Sequence, residues 1–97
     1  MTSECHLFFE MLGTKLKISI INELKNKELN VNELAKRLNQ ERSKVSHALN
    51  TLHTCGFVQA KKTCKNMIYS LNKKTMLPLL NLVEKHIKKY CRHCTRR

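Results

Sequence analysis

A mainly α-helical domain carrying one small β-hairpin is the fold class this sequence predicts. Three observations predict it. Apolar residues recur at helical spacing as far as Gly56. From Phe57 to Leu71 the chain turns to β-favouring residues around a lysine-rich tip. From Met76 onward an apolar 4-3-4 spacing resumes. With one Pro, two Gly, no repeat and no low-complexity linker, residues 1–97 read as a single domain.

Each element has its own signal. Ser3 is positioned to cap a short first helix carrying Leu7, Phe8, Met11 and Leu12, which Gly13 interrupts. Ile18, Ile21 and Leu24, with Ile20 beside them, form the next stripe, and Lys25 to Glu28 its polar end. Asn30 followed three residues later by Glu33 predicts a capping box. Val31, Leu34, Ala35 and Leu38 then mark one helix face. A short turn, Asn39-Gln40-Glu41, leads to a third stripe at Val45, Leu49 and Leu52, which Gly56 ends. Two strands follow, about 57–62 and 66–71, with Thr63-Cys64-Lys65 at the tip.

The remainder predicts one long helix from about 75 to 94. Thr75 is its expected N-cap, and Pro78 is tolerable within a first turn. Met76, Leu80, Val83, Ile87, Tyr90 and Cys94 are spaced 4-3-4-3-4, with Leu79 and Leu82 broadening the seam. A core of 97 residues is modest, so this stripe is expected to pair with a second copy. Leu7 on the first helix would join that interface.

The net charge is +12, from 19 Lys+Arg against seven acidic residues, all Glu. That balance favours an anionic partner, with nucleic acid first and a membrane surface second. No stretch approaches the roughly 20 apolar residues of a membrane span. The start has neither a basic leader nor a small-residue cleavage site, so a cytoplasmic protein is expected. No Ser/His/acid set, glycine-rich phosphate loop or paired carboxylates suggests an enzyme.

Helix, helix, short turn, helix and basic hairpin is the order of a winged helix-turn-helix, with the helix-turn-helix at about 30–55 and the wing at about 57–71. On the third of these helices the inward stripe leaves Ser43, His47, Asn50 and Thr54 on the opposite side, flanked by Lys44 and Thr51. That face carries no acid. Asn reads adenine bidentately, and Ser or Thr meets base edges or phosphate. Arg42, Lys44, Lys61, Lys62 and Lys65 would neutralise phosphates of double-stranded DNA. A polar outer face alone is ordinary for a soluble helix; the hairpin and the charge make it a DNA-reading candidate.

The segments "VNELAKRLN", "KVSHALNTL", "GFV" and "IYSL", in this order between Leu12 and Leu71, resemble the ArsR/SmtB family of winged-helix repressors. The resemblance implies a homodimer built by the first and last helices, an inverted-repeat operator and release from DNA on metal binding. It implies a contact role for Ser46. His47 and Ala48 stand where the family usually has a basic residue and a histidine, Lys17 where arginine is common, and Cys64 where the wing has glycine. Thiol-sensing members carry Cys-Val-Cys where this chain has Asn30-Val31-Asn32, so that site is absent. Glu84 and His86 imitate one acid-histidine pair of other members, but the second pair is missing.

The remaining thiol chemistry gathers at the chain ends. Cys91 and Cys94 lie one helical turn apart, in "YCRHCTRR". If the terminal helices pair across a dimer, Cys5 and His6 would approach them and complete a soft donor set for Zn(II), Cd(II) or As(III). Redox sensing is the competing reading, because Lys88, Lys89, Arg92, Arg96 and Arg97 would stabilise thiolates. No signalling role is the third. Cys55 is expected to be a small packed residue, and Cys64 an exposed thiol.

Overall fold

A computed structural model of the chain describes residues 9, 10 and 12–90. Phe9, Glu10 and Leu12 are helical. The elements that follow are α1 (Lys15–Leu24), β1 (Leu29–Asn30), α2 (Val31–Leu38), α3 (Arg42–Thr54), β2 (Val58–Thr63), β3 (Asn66–Leu71) and α4 (Lys73–Tyr90). The expected cap of the first helix at Ser3, and Leu7, Phe8 and Met11 on it, lie outside the described residues.

Local chemistry sets most boundaries. The Thr14 hydroxyl accepts from the Lys17 amide and starts α1. At α2 the capping box is complete: Asn30 Oδ1 accepts from the Glu33 amide at 2.8 Å, and Glu33 Oε1 from the Asn30 amide at 3.0 Å. Asn39 ends α2 in the left-handed conformation, at φ 54°. At the end of α3, the Gly56 amide donates to the His53 carbonyl and the Phe57 amide to that of Leu52. This is a Schellman closure, with Gly56 at φ 80°.

The hairpin pairs Val58 with Leu71 through to Thr63 with Asn66, so the tip is only Cys64-Lys65. The sequence shows no sign of β1, a two-residue strand that pairs Leu29 with Tyr69 and Asn30 with Ile68. The sheet order is β1-β3-β2. β1 is too short to show alternation. It exists because β3 offers a free edge beside the α2 cap.

One core lies between the helices and the sheet. Ile20, Ile21, Leu24, Leu34, Val45, Leu49, Leu52, Phe57 and Met76 are all buried within it. Fully burying each such side chain stabilises the fold by about 1.5–3 kcal/mol. Ion pairs brace the helices from outside. Arg37 on α2 meets Glu23 on α1 at 2.7 Å, and Lys25 at the end of α1 meets Glu84 on α4 at 2.8 Å.

The last helix departs from the sequence expectation in three ways. It begins at Lys73, not at Thr75, because Asn72 sets its start. The Asn72 carbonyl accepts from the Met76 amide, while its side-chain amide donates to the Gly56 carbonyl at 2.9 Å. Pro78 therefore stands in the helix interior. Its ring nitrogen cannot donate to the carbonyl of exposed Lys74, which water can satisfy. Finally, Met76, expected at a dimer face, is only 2% exposed and belongs to the subunit's own core. Leu80 packs partly against that core as well. The core contacts of α4 thus come from its first half, through Met76, Leu77, Leu79 and Leu80, while Leu82, Val83 and Tyr90 further along are exposed.

Candidate nucleic-acid interface

The third helix owes its orientation to Val45, Ala48, Leu49 and Leu52, all buried against the core. At about 100° per residue, that fixes the opposite face. Ser43, His47, Asn50 and Thr54 are all exposed there, flanked by exposed Lys44 and half-buried Thr51 on one side and half-buried Ser46 on the other. The side chains of Arg42, Lys44, His47 and Asn50 have no protein partner among the described residues. They are free for a ligand.

The threonines are less free. Thr51 Oγ1 donates to the His47 carbonyl at 3.3 Å, and Thr54 Oγ1 to that of Asn50 at 2.9 Å. With their protons engaged, both oxygens can accept from a base amino group. Donating to a phosphate would break these bonds.

No acidic residue lies within α3. Glu41 precedes it and makes no side-chain capping bond. Lys61, Lys62 and Lys65 are all exposed on the wing, beside the exposed thiol of Cys64. Arg42 shares a small cleft with Asn66 and Met67 of β3 and with Asn30–Asn32. The start of α3 and the wing thus border one surface.

Two larger grooves flank α3. One, of about 490 Å³, lies toward α1 and is lined by Thr14, Leu16, Lys17, Ser43, Lys44, His47 and Ala48. The other, of about 510 Å³, lies toward α2 and is bordered by Asn32, Ala35, Lys36, Asn39, Gln40 and Arg42. The sequence alone gives Lys17 and Lys36 no contact role. Their signal is basic charge on the α1 and α2 turns that border α3. Only the packing of the three helices makes it recognisable.

Residues 14–60 match the family model described as "Bacterial regulatory protein, arsR family". Over this segment, just under half of its length, the chain is similar to the arsR family. A similar curated protein is the HTH-type transcriptional regulator NmtR of Mycobacterium tuberculosis, 34% identical over 62 residues. That match covers 64% of this chain and 52% of NmtR, so the chain spans about half the length of this curated relative. Among solved structures, M. tuberculosis Rv0081 superposes with a TM-score of 0.87 at 26% identity, covering 94% of this chain and 92% of that one. A homodimeric winged helix-turn-helix DNA-binding domain from Mycobacterium bovis, Mb0332, shares the fold. Its TM-score is 0.79 at 19% identity, covering 91% of this chain and 82% of that one. The architecture is that of a winged helix-turn-helix.

The metal candidates Cys5, His6, Cys91 and Cys94 lie outside the described residues. Among the described residues, no group of three or more His, Cys, Asp or Glu could hold a metal ion. The imitated pair on α4 is otherwise engaged. Glu84 bonds Lys25, which holds its carboxyl below the usual range, and the His86 ring lies 5.0 Å from that of Tyr90. Cys55 is not packed as expected but exposed, because it caps α3 where the chain turns outward. No helix among the described residues is long and apolar enough to cross a membrane.

Proposed function

We propose that the chain is a DNA-binding repressor acting as a homodimer on an inverted repeat. The outer face of α3 enters the major groove, and the wing follows the backbone. The observation that carries this reading is the acid-free outer face of α3, where the His47 and Asn50 side chains have no protein partner among the described residues, beside a wing bearing three exposed lysines. In this arrangement Asn50 and His47 meet base edges, with Ser43 and Ser46 beside them. Arg42, Lys44, Lys61, Lys62 and Lys65 meet phosphates.

Its control is thiol-based. If the terminal segments meet across the dimer, Cys5, His6, Cys91 and Cys94 would supply a soft donor set suited to Zn(II), Cd(II) or As(III). Ligation there would change the spacing of the two α3 helices. The test is duplex binding by the whole chain, with and without Zn(II), Cd(II) or arsenite. Asn50→Ala should relax sequence preference, and Cys91→Ser with Cys94→Ser should abolish the effector response. Loss of all duplex binding at low salt would remove the DNA reading. A response that survives both cysteine substitutions would remove the thiol site.

A further inference from the structure

An α-helix with its side chains is about 10–12 Å across, and the major groove of B-DNA is about 12 Å wide. A helix seated there fills the groove. The two sugar-phosphate backbones then run along its flanks, where they meet whatever the neighbouring helices present. Arg42 and Lys44 are two residues apart, about 200° around α3, so they reach opposite flanks. Each flank is a groove walled by a different helix: Lys17 of α1 stands across from Lys44, and Lys36 of α2 borders Arg42.

We propose that these two grooves seat the two DNA backbones, with Lys17 and Lys36 as phosphate contacts on opposite strands. This deepens the DNA-binding reading and rests on it. Three features select the occupant. First, both grooves are cationic, through Lys17 and Lys44 on one side and Lys36 and Arg42 on the other. None of these groups is in an ion pair among the described residues. Second, the floor of the α1-side groove is apolar, at Leu16 and Ala48, and suits the C–H face of a deoxyribose. Third, both grooves are shallow and open to solvent. A free small anion would bury too little of itself to bind well, since small-ligand pockets cover some 70–90% of their ligand. A backbone held by the rest of an interface has no such need.

The experiment compares Lys17→Gln and Lys36→Gln with Lys85→Gln, the same charge change at an exposed site on α4. Affinity is measured against salt on a mixed-sequence 30-base-pair duplex and on a duplex enriched from a random pool by the wild-type chain. Both groove variants should weaken binding by a similar factor on the two duplexes. The slope of log affinity against log salt should fall by about 0.9 for each phosphate no longer neutralised, twice that in a dimer. Lys85→Gln should retain the wild-type slope, and thermal melting should be unchanged in all three.

Groove variants that keep the wild-type slope overturn the inference and leave the DNA-binding reading standing. So would a loss confined to the enriched duplex, which would place these lysines at base edges. Failure of the wild-type chain to bind any duplex at low salt overturns both.

Discussion

Gly56 is the residue whose identity the backbone most requires. It closes α3 at φ 80°, and a Cβ added there would meet no atom within 4 Å. A Gly56→Ala change therefore meets no clash, and its cost is backbone strain alone. That should destabilise the fold by about 1–2 kcal/mol. The check is a urea unfolding midpoint that falls with an unchanged slope. A variant as stable as wild type would mean the left-handed turn is not required. Gly56 is legible in the sequence because glycine is the common residue past a helix end. Asn39, also left-handed, is not, since asparagine is as common in an ordinary turn. Cys55 is not legible either, because burial of a helix-end residue depends on which way the next residue turns.

Among the elements, α4 is held at its start by Asn72 and in its middle by Lys25. The Lys25–Glu84 bond joins the end of α1 to α4 at 2.8 Å. The hydrogen bond from Lys25, reinforced by its charge, lowers the Glu84 pKa. A lowered folded-state value means the bond stabilises the fold above the unfolded glutamate pKa, about 4.3. That contribution is lost as pH falls through the folded value. Glu84→Gln should then melt slightly below wild type at pH 7, and the difference should shrink as the pH is lowered through the folded-state value. Equal melting across that range would show that the pair contributes nothing, as is common for exposed pairs. No sequence spacing announces this bond, because its partners are 59 residues apart.

At the scale of the molecule, the apolar stripe of α4 divides along its length. Met76 and Leu80 serve the subunit's own core. Leu82, Val83 and Tyr90 are exposed at 65%, 44% and 65%, with Ile87 half-buried beside them. A stripe of that size on a small domain is a candidate surface for the second copy in the proposed homodimer. Leu82→Glu should convert a dimer to a monomer in sedimentation while leaving the subunit folded, since Leu82 makes little of the core. A dimer that survives the substitution would move the interface elsewhere, toward exposed Phe9 and Ile18.

The order of elements, the α2 cap, the inward stripe of α3 and the lysine wing were determined by the sequence itself. Each depends on local spacing or on a residue type whose backbone and charge preferences hold in any context. Helical periodicity states which residues share a face, and composition states which face is basic. The tertiary structure alone decided which of two masses the α4 stripe would cover. The 4-3-4 spacing from Met76 to Tyr90 is the same whether a residue meets its own core or a partner. It also decided β1, the interior place of Pro78 and the grooves that bring Lys17 and Lys36 beside α3. These arise between segments distant in sequence, where packing distance and not periodicity sets what a side chain meets.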